Sequence, residues 1–332
     1  MRIGKRFLLS VCFILGTVLL SGWGFLAHRT INQLAIYQLP KAMRPFFYEN
    51  MDYLVKNSVR PDQRRNSDKS EEPKHYIDAE AYGDSALWVM PHQWDNAVAK
   101  YSKDTLLAYG YVPYWVMVMK ERLTNAFKQE NKDSILFYAA DMGHYIADAH
   151  VPLHTTMNYD GQLTGQKGLH SLWESTIPEI ELSQFELNEK HKAKYLKNPE
   201  QAIWEAAREA NVLLKDVFQQ EIEASRGLED SAKFRMQMRY GKMSRVYTTE
   251  FAKAYNKRLG NTVNQQLLKA AHLNADFWYT CWVDAGKPGL KSLVTNANDK
   301  KVKKKMKAEW KAYKKNQLIE KDLLLAKQFD KE

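Results

Sequence analysis

Cysteine is almost missing from this chain, with two in 332 residues. Cys12 lies in an N-terminal apolar run, so a chain processed after that run keeps Cys281 alone and closes no internal disulfide. Cys281 sits in the aromatic run Asp276-Phe277-Trp278-Tyr279-Thr280-Cys281-Trp282, where a small buried hydrophobe is the expected role. No Gly-rich phosphate loop opens a helix, and no Gly-x-Ser-x-Gly occurs. P-loop and serine-hydrolase chemistry are thereby excluded. Also missing are His-Glu-x-x-His, an adjacent His-Asp pair, and the paired Glu-x-x-His motifs of di-iron bundles. There is no internal repeat, and no strand pair with a hairpin turn between is expected.

What is present is an ordinary globular balance, 45% apolar and 27% charged, which argues against disorder and against several membrane spans. Lys5 and Arg6 precede the apolar run Phe7 to Leu20, and Ser21 and Gly22 follow it. A basic start, a short apolar stretch and a small residue read as a signal peptide over 1–22, cut before Trp23. The run is shorter than the roughly 20 residues a spanning helix needs. An exported protein, periplasmic or secreted, is the expectation.

The net charge is +10, or +7 once Arg2, Lys5 and Arg6 are removed. Much of the excess lies in Lys300-Lys301-Val302-Lys303-Lys304-Lys305-Met306-Lys307. This reads as the solvated face of a terminal helix, and alternatively as a surface that contacts anionic lipid or nucleic acid. No protein partner is implied.

Apolar residues recur at helical spacing over Ala27–Leu39, Trp94–Gln129, Ser134–Asp148, Pro199–Ser225, Lys233–Lys257 and Thr262–Asp284. Irregular chain is expected over Val59–His75, Gly83–His92 and Pro152–Gly168. The fold class is therefore all-α, a compact multi-helix domain over 23–297. After Gly286-Lys287-Pro288-Gly289, the Lys-rich residues 298–332 read as an appended helix or tail outside that domain.

The chemistry lies in histidines and carboxylates. His144 and Asp148 are four apart, so a helix puts both on one face, and His170 and Glu174 repeat the arrangement. His154 lies between them, just after a helix that Pro152 ends. A single pair would read as a surface ion pair. Two pairs within about thirty residues, with imidazole and carboxylate donors and no thiolate, suit a hydrolytic zinc site or another borderline divalent metal.

The order His144-x3-Asp148-x5-His154, then His170-x3-Glu174, resembles the metal-binding core of bacterial zinc-dependent phospholipase C, shared with the zinc single-strand-specific nucleases of fungi and plants. Members of both groups begin their mature chain with a tryptophan that binds zinc through its α-amino and carbonyl groups. Trp23 follows the expected cut site here, and His28 lies five residues on. Pro61-Asp62-Gln63-Arg64-Arg65 and Lys74-His75-Tyr76-Ile77-Asp78 resemble the segments that precede the core.

The resemblance implies three zinc ions. Asp62, His75, His144 and Asp148 would hold the first; Trp23, His28 and the bridging Asp148 the second; His154, His170 and Glu174 the third. It implies phosphodiester hydrolysis by water activated between the bridged ions, with Arg65 contacting phosphate, Tyr76 stacking a base and Asp78 supporting a ligand. His92, His150, His191 and His272 fall outside the pattern and read as structural or exposed.

Glu174 as last ligand and the short segment between His154 and His170 resemble the phospholipase branch, which is the preferred reading. The Trp23–His28 spacing and His75-Tyr76-Ile77-Asp78 resemble the nuclease branch, the alternative. A non-catalytic zinc-binding periplasmic protein is the third reading; three protein ligands at the last site leave room for substrate and favour catalysis.

Overall fold

A computed structural model of the chain describes residues 24–83, 85–239, 242–295 and 299–329. The expected signal peptide and Trp23 lie outside the described residues. Helices make nearly all of the regular structure, and the fold is all-α. The elements used below are α1 (Phe25–Gln38), α2 (Val112–Lys128), α3 (Lys132–Asp148), α4 (Pro199–Val212), α5 (Leu214–Ser225), β1 (Phe234–Arg239), β2 (Lys242–Tyr247), α6 (Thr249–Leu259), α7 (Thr262–Asp284) and α8 (Lys300–Tyr313). Among the described residues, no helix is long and apolar enough to cross a membrane.

The core is built where α1, α2, α3 and α7 pack together. Leu34, Ile36, Met142, Ile146, Phe277 and Trp278 are fully buried there, and each removes apolar surface from water worth about 1.5–3 kcal/mol. Gly143 on α3 faces side chains of both α1 and α7. A methyl group there would come within 2.4 Å of Asn32 Oδ1 on α1 and 2.6 Å of Asn274 Nδ2 on α7. The absence of a side chain thus lets three helices meet beside His144.

Local signals set the helix ends. Asn131 caps α3 by accepting a hydrogen bond from the Ser134 amide at 2.9 Å. At the end of α1, Leu39 is extended ahead of Pro40, the conformation a following proline favours. The segment expected as one helix over Trp94–Gln129 is three, broken at Ser102 (φ 70°) and Gly110 (φ 80°). Both breaks use left-handed backbone, which a continuous helix does not tolerate.

Two expectations need correction. Within Lys233–Lys257 the chain forms an antiparallel pair, β1 with β2, in which Phe234 faces Tyr247 and Met238 faces Met243. Phe234, Met236 and Met238 alternate at a period of two, so this stretch places its apolar residues on one face as a strand and scatters them as a helix. The Lys-rich end is helical over α8 but does not stand apart from the domain. Ala312, Tyr313, Leu318, Leu324 and Ala326 are buried in the same core, and the Trp310 indole donates to the Tyr37 carbonyl of α1 at 3.2 Å.

Candidate metal centre

The last two turns of α3 carry His144 and Asp148 inward on one face, as four-residue spacing requires. The first turn of α1 brings His28 against them, its ring stacked on that of His144 at 4.0 Å between centroids. Asp62 comes from the short helix Arg60–Arg64, and His75 from the loop that follows Glu72–Lys74. His154 lies in the short turn Pro152–Thr155, and Glu174 in a wide π turn, Leu172–Thr176. Eight of the nine expected ligands meet here; the ninth, Trp23, lies outside the described residues.

The donor atoms form three groups, and within each group they lie within 4.8 Å of one another. They are Asp62, His75 and His144; His28, His144 and Asp148; and His154, His170 and Glu174. Asp148 faces two of these groups with different oxygens. Its Oδ2 lies 2.9 Å from His75 Nδ1 and 3.3 Å from His144 Nε2, while its Oδ1 lies 3.5 Å from His28 Nε2. Glu174 also spans two groups, with Oε2 at 2.7 Å from His170 Nε2 and Oε1 at 3.2 Å from His28 Nε2. Gly24 makes this possible, because a Cβ there would sit 2.8 Å from Glu174 Oε1.

Backbone carbonyls fix which imidazole nitrogens face the centre. A carbonyl only accepts, so His144 Nδ1–H donates to Ser58 O at 2.8 Å and His154 Nδ1–H donates to His75 O at 2.7 Å. In both rings the Nε2 lone pair is left for the cluster. His75 is turned the other way: Nδ1 faces the cluster and Nε2 lies 3.7 Å from Glu71 Oε1. Glu71 is buried and is itself held by Arg64 (3.0 Å), Lys74 (2.7 Å) and a hydrogen bond from the Tyr145 hydroxyl. A carboxylate behind a ligating imidazole orients the ring and raises its basicity.

Burial sets the proton affinities. It holds His75 and His144 well below the ordinary histidine value. Burial, reinforced by Asp62 and Glu174, pushes Asp148 well above the usual carboxylate range, and burial raises Asp62 too. For Glu174, burial works upward, but hydrogen bonds with His154, His170 and His28 outweigh it and hold the carboxyl well below its usual range. Neutral imidazole lone pairs converging with desolvated carboxylates are the donor set a zinc ion takes, and the residues fit zinc on that observation.

A cavity of about 730 Å³ opens onto the cluster, with Asp62, Asp148, His154, His170 and Glu174 in its floor. Arg65 and Lys69 supply positive charge to its wall, and Phe25 and Tyr159 supply aromatic rings. Arg65 Nη1 is 3.5 Å from Asp62 Oδ1. Tyr76 is half-buried, packed where a Gly110 Cβ would fall, and is not part of the cavity wall. The Asp78 carboxyl, pushed up to about 7 by burial and then by Glu80, has no hydrogen bond to a ligand among the described residues.

The remaining histidines are placed elsewhere. His150 donates to the Ile146 carbonyl at 2.7 Å, His92 stacks on Trp204, and His191 stacks on His272. Sequence reading missed Glu71, the Ser58 carbonyl, Lys69, Phe25 and Tyr159. Glu71 had a signal, since it precedes His75 by four residues.

A family model described as S1/P1 nuclease matches residues 23–273. The chain belongs to the S1/P1 nuclease family. Among solved structures it is similar to an alpha toxin from Clostridium absonum, at 15% identity and a TM-score of 0.48, covering 84% of this chain and 66% of that one. It is also similar to the alpha-toxin of an avian strain of Clostridium perfringens, at 14% identity and a TM-score of 0.44, covering 78% and 64% respectively. The chain thus spans less than two thirds of either toxin. No curated protein matches it in sequence.

Proposed function

We propose that this protein hydrolyses phosphodiester bonds at zinc ions held by the three donor groups, with Trp23 completing the set after export and removal of residues 1–22. The observation that carries the proposal is Asp148, whose two oxygens face separate groups of imidazoles in a buried site open to a cavity. Zinc bound there supplies an activated water and neutralises phosphate charge.

The chain's own residues do the rest. Asp148 and Glu174 tie neighbouring donor groups together, and Glu71 orients His75. Arg65 and Lys69 in the cavity wall attract the phosphate and bring it to the floor of the cavity. Phe25 and Tyr159 offer flat apolar faces to the group esterified to it.

Two substrate classes are read from separate observations. Glu174 as last ligand, and only fifteen residues between His154 and His170, support a phospholipase C-type action on phospholipid. The family matched, together with Tyr159 at 54% exposure beside the cluster, supports cleavage of single-stranded nucleic acid. The test is a chain beginning at Trp23, zinc-quantified, offered phosphatidylcholine vesicles and single-stranded DNA in parallel, with Asp148→Asn as control. Phosphorylated headgroup release supports the first class and nucleotide release the second. Turnover of neither substrate with zinc bound would refute phosphodiester hydrolysis of both. A residue added ahead of Trp23 should abolish turnover, and full activity with such a tag would remove Trp23 from the centre.

A further inference from the structure

At the opposite end of α1 from the metal centre lies a second large cavity, about 860 Å³, walled by the end of α1, the 188–193 segment and α8. His28 and Gln38 are ten residues apart on α1, so about 15 Å of helix separates the two sites. Five cations line this cavity: Lys41, Arg44, Lys190, Lys192 and Lys314. Its one carboxylate, Glu189, lies 3.8 Å from His272. Among the described residues, none of the five cations is paired with a carboxylate.

Arg44 is the most telling of them. Its guanidinium is half-buried, and burial lowers its proton affinity with no acidic group to offset it. Nε and Nη2 donate to the Leu39 carbonyl at 3.1 and 2.6 Å. Its charge otherwise rests on the Trp310 ring, 4.8 Å from the centroid, and Lys314 Nζ rests on the same ring at 3.4 Å. Trp310 is itself pinned by its indole N–H to the Tyr37 carbonyl. A half-buried guanidinium and an exposed ammonium held on one aromatic ring, neither paired with a carboxylate, form a preorganised anion site.

We propose that this cavity is a second, non-catalytic binding site for single-stranded nucleic acid, which it holds by successive phosphates. The cations come from three separate segments, Lys41 with Arg44, Lys190 with Lys192, and Lys314, a spread of positive charge that suits the successive phosphates of a strand over a lone phosphate. A flat bilayer does not enter a concave cavity of this volume. The proposal deepens the nucleic-acid reading of the metal centre, and the experiment separates the two.

The measurement is fluorescence anisotropy of a labelled twenty-nucleotide oligothymidine against EDTA-treated protein beginning at Trp23, so that no cleavage interferes. The variant is Lys190→Gln/Lys192→Gln/Lys314→Gln, three exposed positions whose loss leaves the core untouched; melting temperature checks its folding. Wild-type protein is expected to bind, and the variant to bind at least tenfold more weakly at low salt. The slope of log affinity against log salt should flatten by about 2, since each phosphate neutralised on a single strand contributes about 0.7. Zinc-loaded wild type and variant should hydrolyse bis(p-nitrophenyl) phosphate equally. A folded variant with unchanged affinity and salt slope overturns the proposal, whatever the metal centre cuts. Oligonucleotide binding lost in the variant upholds it even if wild-type enzyme cleaves no DNA. Loss of binding to phosphatidylserine-containing vesicles with oligonucleotide binding intact assigns the surface to membranes and also overturns it.

Discussion

The two ends of α1 carry opposite imbalances of charge. At its start, His28 joins buried imidazoles and carboxylates whose lone pairs converge, with Arg65 3.5 Å from Asp62 in the cavity wall. At its end, five cations, Arg44, Lys41 and Lys314 among them, share a cavity with a single carboxylate, Glu189. One end has carboxylates and lone pairs in excess, the other cations. Both arrangements are unfavourable by themselves, because like charges or lone pairs held close together repel. What stabilises each is an outside ligand of the opposite sign, and the difference between the ends is the nature of that ligand.

The comparison can be broken most severely at Asp148. Replacing it with Asn keeps the shape and removes the charge that faces two donor groups. Bound metal measured by elemental analysis should fall, and hydrolysis of bis(p-nitrophenyl) phosphate should drop by more than about 100-fold, the upper range for losing even a supporting residue. Unchanged zinc content would contradict a bridging role. Next comes metal removal itself. Treatment with EDTA should lower the melting temperature by on the order of 10 °C, since ligands that bind only the folded state stabilise by mass action. Re-added zinc should restore it. The groove end, which takes anions, should be indifferent to zinc.

A smaller effect is expected at Glu71→Gln, which leaves His75 without its anionic partner. Zinc affinity should weaken about 10- to 100-fold, while oligonucleotide binding in metal-free protein stays put. Gly143→Ala should cost about 1–3 kcal/mol, because the added methyl meets Asn32 and Asn274 in a packed interior. Chemical denaturation reads this directly.

The smallest effect concerns His272, stacked on His191 near the groove. Burial first, and His191 second, hold its pKa down to about 3 against 6.5 in the unfolded chain. Its contribution to stability is present above pH 6.5 and is lost as pH falls toward 3, because only the unfolded state takes up the proton in that window. Urea midpoints compared at pH 7 and pH 5 should differ less in His272→Leu than in the wild type.

Much of this was legible in the sequence, for physical reasons. Helical periodicity located α1, α3 and α7, since a core-facing stripe must recur every three to four residues. His144 with Asp148, and His170 with Glu174, were legible because four-residue spacing puts both side chains on one helical face. The hairpin was not seen, because its alternating methionines sit among arginines and resemble a polar helix. The docking of α8 was missed although Val302, Met306, Trp310 and Tyr313 recur at helical spacing beneath the lysines. The charge run drew attention away from the stripe. Tyr159 and Lys69 could not be found at all, because a cavity wall is assembled from loops whose meeting no local pattern encodes.

The hydrogen bonds from His144 to Ser58 and from His154 to His75 end on main-chain oxygens. The bond asks residue 58 only for its main-chain oxygen: alanine there leaves the carbonyl in place and the His144 ring unrotated. What heredity has to preserve is the path of the chain through that point, which is specified by packing many residues away. Ser58 aims a ligand without lending a side chain to the task, whereas His75 both aims and ligates, and a site search guided only by side-chain identity would pass over the first.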